Sequence, residues 1–257
     1  MSNIQTNSRL SQRVQTIKPS GIRRFFDLAS KMDNIISLGV GEPDFITPWN
    51  VREASISSLE RGFTAYTANA GLIELRREIS AYMSKRFSVQ YDPEEEVLVT
   101  VGASEAIDIG MRAILDPGDE VIIVEPSFVS YVPLVQMAGG VPVSVGTYNQ
   151  DEFKVSAKQI EDAITHRTKA LMLCFPSNPT GATMNKAELR EIAELVKRHD
   201  LLVFSDEIYA ELTYDEDPVS FASLPGMKDR TILISGFSKA FAMTGWSLGL
   251  FLRHLTY

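Results

Sequence analysis

Residues 97–126 read VLVTVGASEAIDIGMRAILDPGDEVIIVEP. VLVTVG is a short apolar run rich in β-branched residues and ends in glycine, as a strand does. SEAIDIGMRAIL carries apolar residues at helical spacing. The turn Asp116-Pro117-Gly118-Asp119 closes that helix, and EVIIVEP is a second strand. Strand, helix and strand in immediate succession form the unit of a parallel sheet.

The same alternation continues downstream. A helix runs to Gly139-Gly140, and VPVSV follows as a strand. Ser156 and Gln159 form a capping box for the helix KQIEDAI. KALMLCF is a strand leading into the loop PSNPTG, and Asn185 with Glu188 starts a second capped helix reaching about His199. LLVFSDEIY and TILISG are further strands. The pattern predicts an α/β fold of three layers, α/β/α, around a mostly parallel mixed sheet.

Upstream the texture differs. Residues 1 to about 20 are polar and read as an extended arm. GIRRFFDLASKM places Ile22, Phe25, Phe26 and Leu28 in a short helix-like pattern, and IISLGVGEPDF is a β-run stopping at Gly39 and Gly41. Glu42-Pro43 follows that Gly-x-Gly, so it is not a dinucleotide fingerprint. Thr47 is expected as an N-cap with Pro48 at the first helical position, the helix ending near Gly62. Residues 71–87 form an amphipathic helix with Leu72, Leu75, Ile79 and Met83 on its apolar face.

Composition excludes several classes of function. Of 257 residues, 44% are hydrophobic and 23% charged, the balance of an ordinary soluble domain. A net charge of −8 argues against a nucleic-acid binder, which needs a basic face. Cys174 is the only cysteine, so no internal disulfide can form and a reducing, cytoplasmic compartment is expected. His166, His199 and His254 lack metal-ligand spacing, so no metal is expected. No apolar run approaches membrane-spanning length, and the N-terminus lacks a signal-peptide core.

The unusual polar residues cluster at strand ends. Gly102-Ala103-Ser104, Phe128, Asn178, Asp206 with Tyr209, and Lys239 each follow the C-terminal end of a predicted strand. Ligands of open α/β sheets bind at that edge. Each residue alone admits an ordinary structural account: a helix cap, turn chemistry, core packing, a surface lysine. Together they suggest a site. The small residues of VTVGASEA, at a helix start, make an anion cradle, and no G-K-[ST] follows to make it a nucleotide loop. Asp206 follows the apolar run LLVF and needs a cationic or donor partner. Lys239 lies among Ser235, Gly236, Ser238, Thr244 and Gly245, with apolar residues after it, and a poorly solvated lysine suits Schiff-base chemistry. Lysine, carboxylate, donors, aromatic ring and anion cradle together match pyridoxal phosphate.

The segments SLGVGEPDF, TAYTANAGLIELR, VTVGASEA, DPGDEVII, PSNPTG, SDEIYAEL and SGFSKAFAMTGW resemble those of the class I pyridoxal-phosphate aminotransferases, the aspartate aminotransferase fold. The resemblance spans about residues 13 to 250. The head, VQTIKPSGIRRFFDLA, resembles the bacterial branch with N-acetyl-LL-diaminopimelate, aromatic and aspartate aminotransferases. It implies a pyridoxal 5'-phosphate enzyme moving an amino group between an L-amino acid and a 2-oxo acid. Lys239 would carry the cofactor and move protons, Asp206 would hold the ring nitrogen protonated, and Tyr209 and Asn178 would donate to the phenolic oxygen. Phe128 would stack on the ring, and Gly102, Ala103, Ser104 and Ser238 would line the cofactor and its phosphate. Gly41, Phe128 and Asn178 would face the substrate. Tyr66 would reach the phosphate of a neighbouring subunit, making a homodimer with shared sites. Residues 1–47 would be an arm and a small-domain segment, and residues 48–257 the cofactor-binding large domain.

Two departures accompany the resemblance. Ser247 stands where the family has a phosphate-binding arginine, and the chain stops at Tyr257 in FLRHLTY, where relatives continue into a small domain bearing the carboxylate arginine. The expectation is an aminotransferase cut short and impaired. The alternatives are a lyase or decarboxylase on the same scaffold, and a non-catalytic remnant that binds the cofactor.

Overall fold

The computed structural model describes residues 9–17, 21, 28, 32, 36, 41–214 and 217–254. Most of the expected helix-like pattern at residues 21–32 and most of the β-run before Gly41 lie outside the described residues. So do the first eight residues of the arm and the last three of the chain.

The helices are α1 (Gln12–Thr16), α2 (Trp49–Glu60), α3 (Ile73–Phe87), α4 (Ala103–Ile114), α5 (Tyr131–Ala138), α6 (Ala157–Ala163), α7 (Lys186–Arg198) and the single turn α8 (Phe237–Ala240). The strands are β1 (Val97–Val101), β2 (Glu120–Glu125), β3 (Val141–Gly146), β4 (Thr168–Cys174), β5 (Leu202–Asp206), β6 (Thr231–Gly236) and β7 (Leu248–Leu252). They form one sheet in the order β1-β7-β6-β5-β4-β2-β3. Pairing is parallel from β6 across to β3, and β7 runs antiparallel to both β1 and β6.

The alternation of side chains along each strand divides the core into layers. Ile122, Leu171, Leu173 and Val203 point to one face, where Ile160 of α6 and Leu189, Ile192, Leu195 and Val196 of α7 cover them. Their neighbours Val121, Ile123, Ala170, Met172 and Phe204 point to the other, under Ile107 and Met111 of α4 and Tyr131 and Val135 of α5. Ile79, Met83 and Phe87 of α3 pack on Leu233, Leu250 and Leu252. Both expected capping boxes form, at Ser156 with Gln159 and at Asn185 with Glu188. The Asn185 side chain accepts from two backbone N–H groups. Asn185→Ala should therefore cost about 1 kcal/mol, read as a lower urea midpoint at unchanged slope.

Four expectations need correction, the first being the arm read as extended: its residues Gln12–Thr16 form the helix α1, whose N-cap Ser11 accepts from the Val14 N–H. Thr47 does not cap α2: its hydroxyl donates to the Ala242 carbonyl at 2.5 Å, and Pro48 holds the cap position without a side-chain bond. The hydroxyl is thus used to tie the chain entering α2 to the loop beyond α8. Leu72 lies at the start of α3 and is exposed, because the helix begins one residue later. The strand expected through LLVFSDEIY ends at Asp206, where the Asp206 carboxylate accepts from the Ile208 N–H at 3.2 Å and turns the backbone. β7 was not anticipated at all. Its five residues, LGLFL, follow the lysine turn so closely that they read as part of it.

No helix among the described residues is long and apolar enough to cross a membrane, and no group of three or more His, Cys, Asp or Glu among them could hold a metal ion. α2 has no buried residue, and its Trp49, Ile56 and Leu59 are exposed.

Candidate active site at the sheet edge

The loop after β1 begins with Gly102, whose φ of 82° lies in a region that side-chain-bearing residues rarely enter. Gly102 caps α4 without a side-chain hydrogen bond, so the cap residue leaves the first-turn N–H groups of Ala103 and Ser104 for an outside acceptor. Ala103 is half-buried and Ser104 exposed. Glu105 reaches back to accept from the Val101 N–H at 2.5 Å. Behind the loop lies Gly249 of β7. A Cβ there would fall 2.2 Å from the Gly102 carbonyl carbon. Gly249→Ala must displace one backbone or the other. It should destabilise the protein by about 1–3 kcal/mol, the cost of overpacking, seen as a lower unfolding midpoint.

β5 supplies Asp206, which is 4% exposed. Its register partners are Cys174 on β4 and Ile234 on β6. One carboxylate oxygen accepts from the Ile208 N–H, the other from the Tyr131 hydroxyl at 2.7 Å. Burial pushes its pKa from an ordinary 3.8 up to about 6, against the pull of those two donors. Glu207 is buried too. One of its oxygens accepts from Ser205, Ser220 and the Phe221 N–H, and burial pushes its pKa up to about 7.

The raised pKa of Asp206 makes stability depend on pH. Its folded value exceeds its unfolded one, so the folded protein holds this proton more tightly. The contribution is complete below pH 3.8 and is lost as pH rises to about 6. Asp206→Asn removes it. Without ligand, the variant should therefore gain stability relative to the parent as pH climbs through that window. Urea midpoints at several pH values check this; a constant difference between the two proteins would refute it.

β6 delivers Lys239 on α8. Its Nζ donates to the Gly41 carbonyl at 2.6 Å and lies 5.9 Å from the centre of the Tyr209 ring. Burial lowers the lysine pKa, opposed by Glu42. Asn178 donates through Nδ2 to the Tyr209 oxygen at 3.0 Å. Phe128 meets Tyr131 edge to face, with ring centres 5.6 Å apart. Ser238, one residue before the lysine, is half-buried.

The structure thus joins Lys239, Gly41, Tyr209 and Asn178 in one chain of contacts, and Asp206, Cys174, Tyr131 and Phe128 in another. Adjacent strands β5 and β6 hold the two side by side, and β7 holds the Gly102 loop against β6 through Gly249, the partner of Gly236. Tyr66 lies apart, fully exposed. Ser247 is exposed, with a φ of 53°, immediately before β7. Tyr131 escaped the sequence reading, because a tyrosine at a helix start looks like any core aromatic. Together these residues place an amine of lowered pKa, a buried acid and free backbone donors on one edge.

The family model for aminotransferase class I and II matches residues 33–254. A putative aminotransferase of Bacillus subtilis, YugH, is 64% identical over 94% of this chain and 63% of its own length. The aspartate aminotransferase of Pyrococcus abyssi is 46% identical over 93% of this chain and 62% of its own. The crystal structure of Pyrococcus protein-A1 superposes with a TM-score of 0.92 at 46% identity, over 94% of this chain and 63% of that one. The chain therefore spans a little under two thirds of the length of these relatives. With the family model matched from before Gly41 to the end of β7, and the sheet shared with a solved relative, this chain belongs to the class I and II aminotransferases.

Proposed function

We propose that this chain binds pyridoxal 5'-phosphate at the sheet edge and serves an aminotransferase that moves an amino group between an L-amino acid and a 2-oxo acid. The observation that carries the reading is the delivery of the Lys239 amine and the buried Asp206 carboxylate by adjacent strands. The residues present fit the cofactor. Uncapped N–H groups at the start of α4 suit a phosphate. A buried carboxylate suits a protonated ring nitrogen. The Asn178–Tyr209 pair suits a phenolic oxygen.

When bound, pyridoxal phosphate supplies an electron-withdrawing ring that stabilises the charge left after Cα loses its proton. The chain does the rest. Lys239, its pKa lowered by burial, holds the cofactor through its amine. When not engaged with the cofactor, its neutral amine would serve as the base for the substrate Cα proton and as the carrier of that proton within the site. Asp206 keeps the proton on the ring nitrogen. Tyr209, placed by Asn178, donates to the phenolic oxygen. Gly102, Ala103, Ser104 and Ser238 hold the phosphate end, Phe128 covers the ring, and Gly41 with Asn178 borders the substrate. Tyr66 serves the site of a second copy in a homodimer. The exposed apolar residues of α2 and the full exposure of Tyr66 support that assembly. Residues 48–257 act as the cofactor-binding domain, and residues 1–47 as the arm and small-domain segment. The free, buried Cys174 fits a reducing cytoplasm.

Ser247 favours one second reading, cofactor binding without turnover, since it offers the phosphate no cation. One experiment tests both. Mixing the protein with pyridoxal phosphate should give a visible absorbance band, and borohydride should fix the cofactor to one peptide. Amino acid and 2-oxoglutarate then report turnover. Absence of the band refutes the proposal; a band without turnover selects the second reading.

A further inference from the structure

Tyr131 has the buried position and the partner of a site residue, yet nothing in the proposed function uses it. It is the first residue of α5 and 1% exposed. A buried phenol needs a partner for its O–H. Here that partner is Asp206 Oδ2, at 2.7 Å. The other carboxylate oxygen is taken by the Ile208 N–H, part of the turn that Asp206 itself begins. The carboxylate plane is thus fixed by one donor from its own loop and one from the helix α5, which packs on the face that Phe204 and Asp206 share. Two donors on separate oxygens leave lone pairs for a third.

The surroundings sharpen the point. Cys174 lies beside both groups, buried, its thiol pushed up to about 12 by burial and by Asp206. The Tyr131 hydroxyl is itself pushed far up by burial and by the Asp206 charge, so it remains a donor. Glu207 and Tyr209 are the other titratable groups that feel Asp206. Among the described residues, no cation shifts Asp206, and its charged form is favoured by the Tyr131 O–H and the Ile208 N–H. The Phe128 ring packs edge to face on Tyr131, so the side chain that orients the carboxylate also backs a ring expected to cover the cofactor.

We infer that Tyr131 is a positioning residue for ring-nitrogen recognition: by holding Asp206 charged and in plane, it sets how strongly the site prefers a cofactor ring bearing a protonated nitrogen. The inference rests on the reading of Asp206 as the partner of that nitrogen.

The test compares affinities for pyridoxal phosphate and for its 1-deaza analogue, in which C–H replaces the ring nitrogen. Parent, Tyr131→Phe, Asp206→Asn and the double variant are titrated by absorbance or fluorescence, with urea midpoints measured alongside. Tyr131→Phe removes one oxygen. It should reduce the preference for pyridoxal phosphate about tenfold, the scale of one hydrogen bond to a charged group, while affinity for the deaza analogue holds. In the double variant the preference should equal that of Asp206→Asn alone, since Tyr131 acts through Asp206. A purely structural role would lower both affinities in proportion, and that result, or an additive loss in the double variant, overturns the inference. If Asp206→Asn leaves the preference untouched, the reading of Asp206 itself fails and the inference falls with it.

Discussion

Lys239→Ala should hold no cofactor that borohydride can fix to the protein, and its half-reaction with an amino acid should fall by several orders of magnitude. The argument starts from solvation. The Lys239 amine is half-buried at the end of β6, tied to the Gly41 carbonyl and set over the Tyr209 ring. Burial favours the neutral, nucleophilic form. Alanine removes both the covalent link and the proton carrier. Loss of a positioned acid–base group alone costs about 10²–10⁴-fold in rate. Asp206 and the Gly102 loop are untouched, so the variant should still bind cofactor reversibly. Peptide mapping after reduction settles it: an equally reducible link in Lys239→Ala would move the attachment to another lysine.

Ser247→Arg should tighten binding of pyridoxal phosphate by about ten- to a hundredfold and leave pyridoxal, which lacks the phosphate, unaffected. Ser247 immediately precedes Leu248, whose register partner Val101 immediately precedes Gly102, so both residues lie just past the same end of the β1–β7 ladder. A guanidinium there would make charge-assisted, bidentate bonds to a phosphate. A net gain of one bond to a charged group over the serine hydroxyl, roughly 1.5–3 kcal/mol, gives the expected range. Serine offers one neutral hydroxyl on a short stem. Its φ of 53° is no easier for serine than for arginine, so the exchange adds no backbone strain. Titration of both proteins with both ligands measures the effect. Equal tightening of pyridoxal would show that the new side chain acts elsewhere than on the phosphate.

The parts of this molecule that sequence made legible are those governed by local physics. The helices at Ala157–Ala163 and Lys186–Arg198 announce themselves through capping boxes that the structure contains. The parallel strands are continuous apolar runs because both faces of the sheet are covered. Residues at their ends fall on one edge by topology alone, so Lys239, Asp206 and the Gly102 loop could be grouped before any contact was known. What stayed hidden depends on tertiary partners. Thr47 looks like a helix cap, and only the proximity of Ala242 gives its hydroxyl another acceptor. Tyr131 became distinguishable from a core aromatic only through its bond to Asp206. Five apolar residues after the lysine turn do not reveal that they insert between two strands far apart in sequence.

That insertion also orders the assembly of the protein in time. Among the described strands, β1 pairs with β7 alone, with Val97 opposite Leu252. During synthesis β1 leaves the ribosome early and has no strand partner until the end of the described chain emerges. For that interval it is an open edge, of the kind that pairs with foreign strands. Closing so long a loop is entropically slow, and contacts between distant parts of a sequence set folding rates. The lysine strand can join its parallel neighbours first. The Gly102 loop has the Gly249 backbone packed directly behind it, so its final support comes from the strand made last.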